Sequence, residues 1–436
     1  MKNEESACAI GSLPRDSSFF IFHFSFSFFL LFVFGYSPAF AEGRDSTNHY
    51  GFQVNVGVGR YINIDQYTKK FVKPGASYVI GMEVNHSASP CDSDAFDSDY
   101  NYPNLSFGLR YHINDVTMHR HPDPDWGLAQ EVDYDSRLGN AVTLYGLFTR
   151  PLYRSHDWML DYSLGTGIGW CMKKYDRETN IDDEIIGSHL NVYFTAGLHA
   201  TYRIAHDWGV MGGVEFFHHS NGALARPNKG ANYLSPVVGV RYMPYYGSVE
   251  NRNANRIRKP FKPYWYANVT LGMGGKTLLE DWQTTQFMTS PDSADYRTER
   301  FKFYMAYSAK ADIMCRYAQR WASGIGIDLF YGTYASHIKD LDRKAGYDIS
   351  HSPYSLGLSV KHHVFYHNLS AAMALGYYLY REMGHHAKII EKPYYEQIGI
   401  RYKFPKWNDI AIGFNINAHL TKADFTELVI AYPISL

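Results

Sequence analysis

Residues 208–242 read WGVMGGVEFFHHSNGALARPNKGANYLSPVVGVRY, and this stretch decides the fold class. Trp208, Val210, Gly212, Val214 and Phe216 recur with a period of two and run into His218 and Ser220. The intervening positions, from Gly209 through Glu215 to His219, are on the whole smaller or more polar. Successive side chains of a strand point to opposite faces, so this alternation predicts a β-strand. The turn-rich segment NGALARPNKG follows, and then Asn232, Leu234, Pro236, Val238, Val240 and Tyr242 share one face of a second strand. Two alternating strands around an Asn/Gly/Pro turn predict a hairpin. His218, Ser220 and Asn232 therefore share its greasy face, an unusual place for polar groups.

The same alternation recurs outward along the chain. Strands are predicted over 48–62, 75–86, 103–113, 141–153, 157–170 and 189–204, giving about eight up to Tyr246. Short connections such as RSHDW (154–158) alternate with long charged loops such as 115–140 and KKYDRETNIDDE (173–184). Short turns on one side and long loops on the other mark an outer-membrane barrel. A soluble barrel would pack large residues inside and keep its other face charged. Here the second face carries Gly, Ser, Thr, Asn and Tyr with isolated charges such as Arg203, Glu215 and Arg241. Glu215 and Arg241 are expected to pair across the hairpin inside the barrel.

Residues 247–262 form a polar, basic linker, and alternation resumes over 263–275, 301–318, 322–334, 353–367, 369–381, 394–404, 408–420 and 424–436. The expected fold is all-β: an antiparallel outer-membrane β-barrel of about eight strands over residues 42–246, plus a further eight-strand half over 263–436. One barrel of about sixteen strands, wide enough for a water-filled pore, is the alternative. A weak internal repeat aligns 206–220 with 367–381 and 231–243 with 392–404, which sets Leu379 against His218 and Arg381 against Ser220.

The 436 residues carry a net charge of −1, which gives no reason to expect a nucleic-acid partner. The 37 Tyr and 36 Gly suit a barrel. Residues 17–38 are an apolar run followed by Ala39-Phe40-Ala41, so residues 1–41 are expected to be a secretory signal. Beyond it no apolar run approaches the ~20 residues of a spanning helix. Cys91, Cys171 and Cys315 have no tight spacing and form neither a disulfide framework nor a zinc site. His119/His121, His362-His363 and His385-His386 are read as loop or lumen histidines, and no metal or other cofactor is implied.

A serine nucleophile needs a base, and the base needs an acceptor that orients it. Ser220, His218 and Asn232 can fill these catalytic roles in that order. Asn221, Gly222 and Asn228 can supply oxyanion donors. Polar groups beside hydrocarbon are costly unless hydrogen-bonded, and an ester-bearing lipid would give them a purpose.

The run GSHLNVYFTAGLHATYRIAHDWGVMGGVEFFHHSNGALARPNKGANYLSPVVGVRY (187–242) resembles the C-terminal part of the PagL-type lipid A 3-O-deacylases, grouped with the acyloxyacyl hydrolases. The resemblance covers about 141–246, and none is seen after 262. It implies an eight-stranded outer-membrane barrel with an H-x-S-N motif on its outer wall, here His218-His219-Ser220-Asn221, and a downstream P-N-x-G, here Pro227-Asn228-Lys229-Gly230. Ser220 would then be the nucleophile and His218 the base of a serine esterase that removes an ester-linked acyl chain from lipid A, with lipopolysaccharide as partner. The family's acid, usually Glu two residues after that glycine, is Asn232. The family's Asn-x-Gly after the serine is Asn221-Gly222-Ala223, which shifts the expected oxyanion donor by one residue. A non-catalytic barrel, porin-like or structural, is the other reading.

Overall fold

The computed structural model describes residues 49–63, 66–88, 94–249, 260–420 and 422–436. The expected signal segment, Cys91 and most of the linker lie outside the described residues. Strands β1 (Tyr50–Tyr61), β2 (Ala76–Ser87), β3 (Asn104–Asn114), β4 (Ala141–Arg154), β5 (Trp158–Cys171), β6 (Leu190–Arg203), β7 (Trp208–Ser220) and β8 (Ala231–Tyr242) close into one antiparallel barrel. Strands β9 (Tyr264–Thr277), β10 (Phe303–Ala318), β11 (Trp321–Gly332), β12 (His351–Tyr366), β13 (Leu369–Met383), β14 (Tyr394–Phe404), β15 (Ile410–His419) and β16 (Lys422–Ser435) close a second. The single sixteen-strand barrel is thereby excluded. Every barrel strand has its two neighbours, so neither barrel leaves an edge with unpaired backbone groups.

Alternation along each strand becomes inside and outside. On β1, Val54, Val56 and Val58 are exposed, while Gln53 and Asn55 are buried in the lumen. At the end with the short turns, Phe52, Trp208 and Tyr242 pack ring against ring on the outer wall, and Trp158 meets Tyr202 in the same way. This is the aromatic girdle that a membrane barrel places at the interface.

Eight strands leave a lumen just wide enough for side chains, and charge networks fill both. In the first, Arg110 pairs with Glu215, His199 Nε2 lies 3.1 Å from Glu215, His199 Nδ1 lies 3.0 Å from Asp161, and Arg241 reaches Asp161 at 2.6 Å. The expected Glu215–Arg241 pair does not form. Glu215 faces Ser235 in the ladder and Arg241 faces Gly209, so the two charges are far apart along the strands. In the second lumen Lys310 pairs with Glu427, and Lys361 with Asp312 and Asp328. Filled lumens remove the geometric basis of the pore.

The proposed repeat does not survive as a barrel repeat. Residues 206–220 form the seventh strand of their barrel, whereas 367–381 fall in the fifth strand of theirs. Shared barrel composition, with its apolar/polar alternation, accounts for the similarity.

The barrels touch at both ends. At the short-turn end the loop after β2 contains a helix, Ala95–Asp99. Tyr100 Oη donates to Phe365 O (2.8 Å) and Tyr366 Oη donates to Asp97 (2.7 Å). At the long-loop end Leu128 N–H donates to Phe287 O (2.8 Å), Tyr175 Oη to Arg297 O (2.8 Å), and Lys174 pairs with Glu299 at 2.9 Å.

Candidate active site

The register of the opening hairpin sets His218 directly opposite Asn232. Both point outward, as their parity requires. His218 Nδ1 lies 2.7 Å from Asn232 Oδ1. A carboxamide oxygen only accepts, so this contact places the proton on Nδ1 and the lone pair on Nε2. Phe194, on the adjacent strand β6, stacks along the imidazole with ring centroids 6.5 Å apart.

The Nε2 edge faces the turn that brings the chain back. A Cβ built on Gly230 would lie 2.5 Å from His218 Cε1, 3.3 Å from Nε2 and 3.4 Å from Ser220 Cβ. Gly230 also has φ +74°, a conformation that disfavours any side chain. Only a bare glycine fits beside both His218 and Ser220, and Ser220 itself is buried. His219, by contrast, points into the lumen, 3.0 Å from Thr143 Oγ1, and belongs to a different environment.

The oxyanion candidates divide. The Asn221 backbone N–H donates to Asn228 Oδ1 at 2.9 Å, so this backbone donor is spent and the Asn228 carboxamide oxygen serves as its acceptor. Asn221 Oδ1 accepts from Ala225 N–H (3.3 Å), while Asn221 Nδ2 is buried without a partner among the described residues. Gly222 turns at φ +63°, and its carbonyl accepts from Thr426 Oγ1 at 2.8 Å.

Thr426 belongs to β16, in the second barrel. The contact is one of several that sequence reasoning missed. Thr277 N–H, at the end of β9, donates to Ala223 O (2.9 Å), and Arg226 Nε donates to Thr277 O (3.0 Å). Leu224 and Leu190 form a small buried cluster against Ile168 and Phe303. The loop that follows the H-x-S-N motif is thus gripped by strands drawn from the other half of the chain. No spacing in the sequence links residues 222–226 to 277 or 426.

Behind this loop runs 183–186. Lys229 N–H donates to Glu184 O (3.2 Å) and Gly230 N–H to Ile185 O (3.1 Å). Asp183 is buried beneath it and accepts from Ile185 N–H (2.9 Å), Ile186 N–H (3.1 Å) and Asn180 Nδ2 (3.1 Å). Burial nevertheless pushes its carboxyl up to about 7. Glu184 turns the other way and pairs with Arg120.

Both halves of the chain match known families. Residues 82–241 match the family described as Lipid A 3-O-deacylase (PagL). Residues 265–436 match the family described as Acyloxyacyl hydrolase, C-terminal domain, which corrects the expectation that nothing after 262 has family. No curated protein matches the chain. Among solved structures, that of the outer membrane enzyme PagL is 16% identical, with 43% of this chain and 97% of that one covered and a TM-score of 0.27. Neisserial surface protein A is 6% identical over 45% of this chain and 97% of that one, with a TM-score of 0.25. OccK8 (OprE) of Pseudomonas aeruginosa is 8% identical over 89% of this chain and 98% of that one, with a TM-score of 0.22. The two family matches together span most of the chain and meet the two barrels one for one. The chain belongs to the lipid A 3-O-deacylase (PagL) family of bacterial outer-membrane hydrolases.

Proposed function

We propose that the protein is a serine esterase that removes an ester-linked acyl chain from lipid A, working on the outer wall of its first barrel. The observation that carries this reading is His218, held at Nδ1 by Asn232 and turned at its other edge toward Gly230 and Ser220. His218 Nε2 takes the Ser220 Oγ proton as Oγ attacks the acyl carbonyl. The resulting oxyanion takes its hydrogen bonds from Asn221 Nδ2, a donor without a partner among the described residues, and from the backbone at Gly222. When the tetrahedral intermediate collapses, the sugar hydroxyl leaves with the proton from His218. A water, deprotonated by the same nitrogen, then releases the fatty acid and restores Ser220.

Asn232 supplies orientation without charge. It fixes the tautomer but does not offset the positive imidazolium that forms during attack, as a carboxylate would. Glu215 does not substitute for the missing acid, because it is buried in the lumen against Arg110 and His199.

In this reading the second barrel is part of the catalytic apparatus. Thr426 and Thr277 hold Gly222 and Ala223, and so set the loop from which the oxyanion donors project. Mass spectrometry of lipid A from cells expressing wild type, Ser220→Ala and His218→Ala tests the activity. Loss of one acyl chain with the wild type alone is expected. Unchanged lipid A in all three, with the protein folded in the outer membrane, would leave a non-catalytic barrel.

A further inference from the structure

The long loop between β3 and β4 carries a second cluster of ligating side chains, remote from Ser220. Its two arms are tied by a small sheet in which Thr117 pairs with Arg137 and Met118 with Ser136. His119 follows directly on one arm, and Asp135 immediately precedes the other. His119 and His121 project on the same side, as alternate residues of an extended segment do. The intervening Arg120 turns inward to Asp182 and Glu184.

Both imidazoles converge on one oxygen. His119 Nε2 lies 3.3 Å and His121 Nδ1 3.0 Å from Glu131 Oε1. The second nitrogen of His119, Nδ1, lies 3.1 Å from Asp135 Oδ1. Asp135 is thus within ion-pair distance of that nitrogen without hydrogen-bond geometry, while Nε2 is aimed at the centre shared with His121 and Glu131. The backbone is fixed as well. His119 N–H donates to Phe71 O (2.9 Å), Arg120 N–H to Asp182 (2.9 Å), and Trp126 Nε1–H to His121 O (2.8 Å).

We propose that His119 Nε2, His121 Nδ1 and Glu131 form a binding site for one first-row divalent cation of the Zn²⁺ class. Two imidazoles and a carboxylate suit such an ion, and water completes the coordination. Among the described residues, the other two groupings of this kind are already neutralised or shared. Glu391 and Asp424 pair with Arg381 and Lys276, and Asp97 accepts from Tyr366 between the barrels. The cation would clip the two arms of the loop at the long-loop end of the first barrel. Asp182 and Glu184, which anchor Arg120, connect that clip to the segment behind the Gly230 turn.

The test is calorimetric titration of the full, untagged, detergent-solubilised protein with ZnCl2 after chelator treatment. One equivalent binding at micromolar concentration or tighter is expected. His121→Ala and Glu131→Gln should each weaken it by about tenfold or more. His121 and Glu131 are exposed, at 68% and 40% of the side chain, so these variants keep the barrel, which far-ultraviolet circular dichroism verifies. Co²⁺ in place of Zn²⁺ should give visible d–d bands that disappear in His121→Ala. No saturable binding, or binding unchanged in both His121→Ala and Glu131→Gln, overturns the site.

Discussion

His218 Nδ1 and Asn232 Oδ1 stand 2.7 Å apart, paired directly across the β7–β8 ladder. The bond fixes the imidazole but leaves it without a counter-charge. Asn232→Glu should therefore retain or raise kcat for deacylation. Asn232→Leu should lower it by roughly 10² or more, the scale of a general base deprived of its orientation. Steady-state kinetics on purified lipid A compare the three, and a dead Asn232→Glu variant would mean that Asn232 has another role.

Gly230 is the narrowest point of the site. Gly230→Ala forces a methyl against His218 and strains a backbone at φ +74°. Deacylation should fall by at least an order of magnitude while the barrel still assembles, since the turn lies beyond the strand ends. Activity together with circular dichroism separates the two effects. Full activity would show that the turn yields freely.

Thr426→Val removes the hydrogen bond to Gly222 while keeping the side chain's size. A neutral hydrogen bond is worth about 1 kcal/mol, so kcat should drop about fivefold with KM nearly unchanged, and Thr426→Ser should restore it. Equal changes in both parameters, or no rescue by serine, would assign Thr426 to packing between the barrels and not to the active-site loop.

Asp183 gives the long loops a pH dependence of definite sign. Its carboxyl is raised by burial to about 7, so the folded state prefers the protonated form. The stability it contributes is full below its unfolded value near ~4 and is lost as pH rises towards 7. Asp183→Asn mimics the protonated form. Its thermal unfolding should change less with pH between 4 and 7 than that of wild type, and it should exceed wild type at pH 8. Parallel pH profiles for the two proteins would rule this contribution out.

Glu215 holds Arg110 and His199 together in the lumen. Glu215→Leu leaves the buried guanidinium unpaired and should cost about 3–5 kcal/mol, read as a lower denaturant midpoint.

The barrels were legible because a lipid-facing strand must alternate, and residues 189–204 and 208–220 alternate almost without interruption. His218, Ser220 and Asn232 were legible for the same reason, since parity alone puts them on one face. The lumen pairing was not, because opposite parity says only that Glu215 and Arg241 face inward, while their partners come from β3, β5 and β6. The oxyanion donors were half legible. Asn221 and Asn228 were visible as motif residues, but their bond to each other depends on the turn's path. The clamp from Thr277 and Thr426 was invisible, because it depends on how two closed barrels dock, and period-two patterns carry no information about docking.

Trp208 and Ser220 are the first and last residues of β7, on the same outward face. At ~3.3 Å per residue and a tilt of ~40°, the strand climbs ~30 Å, the thickness of a bilayer's hydrocarbon. With the Trp208 girdle anchored at one interface, the serine is carried to the opposite one, where acyl chains join their sugars. The strand is then a ruler. With Ser220 as the nucleophile proposed above, its length would select ester bonds by their height in the leaflet and leave those deeper among the chains out of reach.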